Sequence, residues 1–304
     1  MKLGLSLASA ASVIADARFA EEAGFDFVAV GEHLFFHSPG PNPFVQLAAA
    51  AGATSRIRLV STVSLLPLYP AALAAKLAAT LDLVSGGRFE FGVGLGGEYP
   101  PEFEAVGVDP AARFRRMDEA LYVLRLLFSG DRVSFDGPDM QLRDVRLDPP
   151  PVQPGGPPIW LGGRKSGAVR RAGRFAHTWM PYMMTPSGLA ESLADVRAAA
   201  VEAGRAPTDV RGAIFAFACC DANAAWARQA GIDAVSANYQ QDFTRLADRY
   251  LILGDPHQVI ARLREYQRGG AEVAILHLVA PEPDDAQRVL ETVTEQVLPE
   301  LQRG

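Results

Sequence analysis

The chain has 304 residues, of which 49% are apolar and 21% charged, with a formal net charge of −6; this is the composition of a globular protein. With 29 basic against 35 acidic residues and no basic stripe, a nucleic-acid partner is not expected. No apolar run approaches the roughly 20 residues of a membrane span, and the only cysteines, Cys219 and Cys220, are adjacent, which excludes a disulfide framework and a cysteine zinc site.

Met1-Lys2 and the apolar residues that follow to Ala15 could pass for a secretory leader. The alternation of Leu3, Leu5 and Leu7, then the helical spacing of Ile14, Ala17, Phe19, Ala20 and Ala23, favours a strand and a helix, and a cytoplasmic protein. The same unit then recurs. Strands are predicted at Lys2–Leu7, Phe25–Val30, Ile57–Thr62, Arg88–Val93, Pro158–Leu161, His177–Met180, Val210–Ala218 and Val273–Leu278. Helices are predicted at Ser12–Ala23, Pro43–Thr54, Pro70–Val84, Pro110–Phe128, Ser166–Phe175, Pro186–Ala203, Ala222–Ala230, Pro256–Arg268 and Asp284–Gln302. Proline opens several of them, where its missing N–H costs nothing, and Gly24, Gly52, Gly204 and Gly269 close others. Eight alternating units fit a closed (β/α)8 TIM barrel better than an open sheet. The whole chain, 1–304, reads as a single domain. Residues 129–157, rich in Gly, Pro and Asp, read as an insertion after the fourth unit, and 236–253 as a second excursion. In a barrel, insertions after strands border the catalytic face.

Three segments carry candidate chemistry. Glu32-His33 ends the second predicted strand, where a histidine faces the barrel mouth and titrates near neutrality. A metal pair with His37 is disfavoured by Ser38-Pro39-Gly40-Pro41, and no metal is expected. Gly92-Val93-Gly94-Leu95-Gly96-Gly97 matches the dinucleotide pattern formally, but Glu98-Tyr99-Pro100-Pro101 follows in place of an immediate helix; a strand end approached closely by a flat ligand is the better reading. Gly162-Gly163-Arg164-Lys165-Ser166, between a strand and a helix, suits an anion held by backbone N–H groups. There is no nucleophile elbow and no Walker lysine.

Taken in order, Val28-Ala29-Val30-Gly31-Glu32-His33, the run from Leu59 through Pro67, Ser85-Gly86-Gly87-Arg88, Phe91-Gly92-Val93-Gly94-Leu95-Gly96, Glu102-Phe103-Glu104-Ala105 with Arg113 and Glu119, and Pro158-Ile159-Trp160-Leu161-Gly162-Gly163 resemble the luciferase-like flavin and deazaflavin oxidoreductases. The resemblance implies a TIM barrel with an insertion, binding coenzyme F420 or FMN at the strands' C-terminal ends. It implies that His33 lies beside the reactive ring as proton donor or substrate orienter. It implies a bulge at Thr62-Val63-Ser64 behind the ring, with a non-proline cis peptide expected at Val63–Ser64. Gly96, Gly97 and Glu98 match a loop near ring and substrate, with Glu98 a second acid or base. Gly162, Gly163 and Arg164 match the phosphate site, and Glu32 stands where many deazaflavin enzymes have Asp. Ala176-His177-Thr178-Trp179 departs from the family's Gly-Asp-Gly-Trp. The expectation is an oxidoreductase moving a hydride between F420 and a small organic substrate. An FMN-dependent monooxygenase using oxygen is the alternative, and a barrel that only binds is a third. The family also implies a homodimer, and no membrane partner is expected.

Overall fold

The computed structural model describes residues 1–37 and 40–303. Two residues of the Ser38–Pro41 break thus lie outside the described residues. The strands, in chain order, are β1 (Lys2–Ser6), β2 (Phe27–Val30), β3 (Arg58–Ser61), β4 (Ser64–Leu65), β5 (Phe89–Gly94), β6 (Val133–Asp136), β7 (Gln141–Val145), β8 (Ile159–Leu161), β9 (Thr178–Trp179), β10 (Arg211–Cys220), β11 (Ile252–Gly254) and β12 (Ala271–Leu278). The helices are α1 (Val13–Ala23), α2 (Pro43–Ala53), α3 (Ala71–Val84), α4 (Pro101–Ala105), α5 (Arg113–Phe128), α6 (Ser166–Phe175), α7 (Pro186–Glu202), α8 (Ala224–Tyr239), α9 (Ala247–Tyr250), α10 (Pro256–Arg268), α11 (Pro283–Thr292) and α12 (Leu298–Gln302).

Eight parallel strands pair in the order β1-β2-β3-β5-β8-β9-β10-β12, and β12 returns to β1. The sheet is therefore closed, and the molecule is a (β/α)8 TIM barrel. Each of the eight predicted strands overlaps one of these. They were legible because helices cover their outer faces and the barrel interior covers the inner ones, so both faces are apolar. Lys2–Ser6, which also reads as a leader, is β1 and pairs on both sides. Residues 129–157 hold the antiparallel hairpin β6-β7.

Two helix expectations need correction. α8 does not stop at Ala230 but runs to Tyr239. Gly231 is no terminator: a Cβ there would sit 2.3 Å from Leu253 Cδ2 and 3.1 Å from Cys219 Cβ, so the glycine lets the helix press on the sheet. Pro100-Pro101 does not forbid a helix either. Pro101 occupies the first position of the five-residue α4.

Inside the barrel, side chains fill the space in layers. Near the N-terminal ends of the strands, Glu90 is 2% exposed and takes Arg58 Nε at 2.5 Å, Arg211 Nη2 at 3.0 Å and the Trp160 indole N–H. Arg211 also bonds Thr178 Oγ1 at 3.0 Å, so one carboxylate ties β3, β5, β8, β9 and β10 together. Above it lie Phe27, Ala29, Val60, Trp160, Met180, Ala213, Val273 and Ile275. Gly4 belongs to this layer, since its Cβ would sit 2.4 Å from Ile275 Cδ1 and 2.8 Å from Phe27 Cβ.

The approach to β3 is clamped from outside. Glu21 on α1 accepts the backbone N–H groups of Ser55 (2.9 Å), Arg56 (2.6 Å) and Ile57 (2.9 Å). Burial opposes its ionisation, but those three bonds outweigh it and hold the carboxyl down at about 2, against an ordinary 4.5. A depressed carboxyl stabilises the fold above its unfolded value and loses that contribution as pH falls through 4.5 toward 2. Glu21→Gln is expected to lower the unfolding free energy at pH 7 by about 1–2 kcal/mol, allowing for solvent screening. Its denaturation curve should converge with that of the parent near pH 2. A difference that does not vary with pH would show that the clamp is not ionic.

Candidate active site

The layer above Ile275 differs in kind. By strand alternation and register, its inward positions are Ser6, Gly31, Thr62, Gly94, Gly162, Phe217 and His277. Three of these are glycines, all on the β2-β3-β5-β8 side. Gly31 and Gly162 carry no side chain there, Val63 Cγ2 takes the space beside Gly94, and the layer below closes the floor.

A bulge shapes the same half. Val60 pairs with Glu90 and Ser64 with Val93, so four steps along one strand meet three along the other. The extra residue falls in Thr62-Val63. The cis peptide is Thr62–Val63, one bond before the Val63–Ser64 bond expected from the sequence. Ser61 O presses on Gly92 so closely that a Cβ there would lie 1.8 Å away. Thr62 Oγ1 and Ser64 Oγ are buried and have no hydrogen-bond partner. Buried hydroxyls are nearly always bonded, and these two are left without a partner beside the cis peptide.

At the rim of the hollow, His33 follows β2 directly, and its Nδ1 lies 3.1 and 3.3 Å from the two oxygens of Glu102. Glu102 is fully buried and also accepts the N–H groups of Leu34 (2.6 Å) and Phe35 (3.2 Å). The His33 ring stacks on Phe36 with centroids 4.3 Å apart. The imidazole is thus held on one edge and one face. Glu102 is the residue that sequence reasoning did not assign a role. It sits on α4, and the usable signal was proline at a first helical position followed by an acid. Glu98, expected as the second acid or base, is instead exposed at the rim and accepts from the Tyr182 hydroxyl. The structure does not join Glu98 to His33.

Glu32 points away from its neighbour. It is 5% exposed and accepts from Leu65 N at 2.8 Å, Asn42 Nδ2 at 3.0 Å and the Tyr69 hydroxyl. Burial pushes its carboxyl above the ordinary range, against the opposing pull of the Tyr69 and Leu65 donors. Its oxygens are engaged by protein, so it fastens β2 to α2 and β4.

The turn Gly162-Gly163-Arg164 lies between β8 and α6. Gly163 has φ +98°, a conformation suited to glycine, and its carbonyl accepts Trp179 Nε1 at 3.0 Å. No side chain caps the N-terminus of α6, so its first N–H groups remain available to an anion. Arg164 bonds Met183 O at 2.6 Å and lies over the Tyr182 ring, 5.5 Å from its centroid. Gly96 and Gly97, at φ +61° and +108°, form the turn between β5 and α4, packed on Leu65, Phe103 and Arg113.

Two other candidates contribute nothing to the mouth. Burial raises both cysteine thiols to about 12, so they are inert core. No cluster of three or more metal-ligating side chains occurs among the described residues, and no described helix is long and apolar enough to cross a membrane.

An acceptor-only carboxylate bonded to Nδ1 requires that nitrogen to carry the proton, leaving Nε2 as the free edge. Long-range proton–nitrogen NMR of neutral His33 is therefore expected to show the Nδ1–H tautomer, and Glu102→Leu to remove that preference. The Nε2–H tautomer in the parent protein would contradict this geometry.

Comparison with known proteins follows the same lines. The chain is 34% identical over 188 residues to an uncharacterized protein of Mycobacterium tuberculosis, covering 62% of this chain and 64% of that one. Over 99% of its length, and 100% of the other's, it superposes on a monooxygenase from Streptomyces bottropensis with a TM-score of 0.87 at 26% identity. A coenzyme F420 dependent tetrahydromethanopterin reductase from Methanopyrus kandleri shares the fold at 20% identity, with a TM-score of 0.81 over 98% of this chain and 99% of that one. The family model for luciferase-like monooxygenases matches residues 3–272, and the chain belongs to that family.

Proposed function

We propose that the protein is an oxidoreductase that moves a hydride between coenzyme F420 and a small organic substrate. The observation that carries the reading is the His33–Glu102 pair at the edge of a glycine-lined hollow. Removing or adding a hydride at a carbon that bears oxygen requires a proton to move at that oxygen. A histidine fixed through Nδ1 offers Nε2 for that transfer.

The chain's residues fit a flat cofactor with a charged tail. The Thr62–Ser64 bulge would back the ring, with Val63 Cγ2 beside Gly94, and Gly31 and Gly162 would leave the ring its space. The Gly96-Gly97 turn would border its edge. Gly162, Gly163, the start of α6 and Arg164 would hold the phosphate. When bound, the coenzyme supplies the carbon that gives or takes the hydride. Glu102 keeps His33 oriented, while Glu32 keeps the strand end in place. Glu98, joined to Tyr182, would close the rim over the substrate.

A second reading is favoured by one finding, the full-length likeness to the Streptomyces bottropensis monooxygenase. In that reading the protein would be an FMN-dependent monooxygenase using oxygen. Titrating the purified protein with F420 and with FMN side by side, followed by fluorescence, tests the choice. F420 is expected to bind at least tenfold more tightly. Tighter FMN binding, with oxygen consumed when FMN is reduced, would replace the first reading with the second. Loss of both, with no binding below ~100 μM, would overturn both. His33→Ala is expected to keep coenzyme affinity within about tenfold while lowering turnover by ~10²-fold or more. Unchanged turnover would remove His33 from the reaction.

A further inference from the structure

The wall facing the hollow is aromatic. In an eight-strand barrel, positions four apart are diametrically opposed, so β3 with its bulge faces β10, and β5 with Gly94 faces β12. β10 projects Phe215 and Phe217 inward, and β12 projects His277. These rings form a chain. Phe217 meets His277 at 5.2 Å and 73°, Phe215 meets Phe217 at 5.6 Å and 85°, and Tyr239 from α8 meets Phe217 at 5.8 Å and 87°. Phe36, stacked on His33, completes it by an edge contact to Tyr239 at 6.2 Å. Phe36, Phe215, Tyr239 and His277 are all half-buried. An inward side chain on a closed barrel can keep accessible surface only toward the mouth, so Phe215 and His277 line it.

Charge decides the rest. His277 donates to or accepts from Ser6 Oγ at 3.1 Å through Nδ1, and burial lowers its pKa to about 4, so it is an uncharged polar point at pH 7. The carboxyls around the mouth all have donors already: Glu32 from Asn42, Leu65 and Tyr69, Glu102 from His33, Leu34 and Phe35, and Glu98 from Tyr182. They repel an anion, and the rings of the wall themselves carry no carboxylate to pair with a cation. Of the nearby arginines, Arg164 is bonded to Met183 O and Arg113 to Pro110 O. No cation–ring contact among the described residues involves the rings of this wall.

We propose that the substrate half of the site takes an uncharged, flat, ring-bearing ketone or the corresponding secondary alcohol, its ring against Phe217 and Tyr239 and one polar group at the His277 imidazole. The inference rests on the functional reading above. In the reducing direction, the carbonyl carbon would take a hydride from the reduced deazaflavin, the C=O π pair would move to oxygen, and the Nε2 proton of His33 in its doubly protonated form would complete the alcohol, leaving the ring neutral with its proton on Nδ1. The deazaflavin is left oxidised.

The test is binding. Calorimetric titration of the protein, loaded with oxidised coenzyme, uses 2-acetonaphthone, its 6-carboxylate and its fully saturated decalin analogue. The neutral aromatic ketone is expected to bind at least roughly tenfold more tightly than either. Phe217→Leu and His277→Phe are each expected to weaken it by roughly fivefold while leaving the coenzyme dissociation constant within about twofold. Melting curves confirm that the variants fold, and the comparison of ligands on the parent protein stands without them. A carboxylate or saturated analogue that binds as well as the ketone, or folded variants that bind it unchanged, would overturn the proposal. If neither F420 nor FMN binds, the functional reading fails, and the same titrations on the unloaded protein still decide the aromatic site.

Discussion

A closed eight-strand barrel is filled by its own side chains, and a guest can enter only where those side chains are absent. That constraint governs this molecule. At one end, Glu90 is buried with Arg58, Arg211 and the Trp160 indole around it. Burying a carboxylate is costly, and the cost is offset only while every partner stays in place. The network therefore locks the spacing of five strands. Phe27, Trp160 and Ile275 seal the next layer. At the other end, Gly31 and Gly162 carry no side chain and Val63 covers Gly94, while Phe217 and His277 furnish the other half. Depth, position and polarity of the site all follow from which inward positions carry a side chain.

Two buried glutamates then fix the strand end at the rim. Glu32 and Glu102 both act on the strand end that carries His33, from opposite directions. Glu32 anchors it to Asn42, Leu65 and Tyr69, and Glu102 anchors the following residues through the N–H groups of Leu34 and Phe35. The same Glu102 carboxylate receives His33 Nδ1. The position of the imidazole and the course of the loop after β2 are consequently one problem with one solution. This coupling also joins α4 to the chemistry, because α4 is the element that delivers Glu102 into the core.

The barrel was legible in the sequence because its strands are buried on both faces and its helices are marked by proline starts and glycine stops. His33 and the Gly162-Gly163 turn stood out in the sequence by their places at a strand end and before a helix, whereas the Thr62–Ser64 segment was marked only by the family resemblance. What stayed hidden depended on distance in the fold. Glu102 is 69 residues from its histidine, and its place just after the proline that opens α4 marks a helix start but not its partner. Gly231 carried the sequence mark of a helix end, yet its role is close contact with Leu253 and Cys219. The aromatic wall gathers Phe36, Phe215, Phe217, Tyr239 and His277 from three strands' ends and a helix, and only the register of β10 on β12 brings Phe217 beside His277. Arg164 read as a free phosphate ligand; its contacts with Met183 and Tyr182 come from a loop that sequence proximity does not reveal.

The central claim is geometric, that the glycine-lined half of the mouth receives a flat ring whose phosphate end lies at Gly163. A crystal structure of the protein soaked with F420 tests it most directly. The account predicts the ring against Thr62, Val63 and Ser64, its reactive carbon facing the space between His33 and Phe217, and phosphate on the N–H groups at the start of α6. A ring seated on the outer helices, or inserted the other way with its phosphate beside His277, would contradict it.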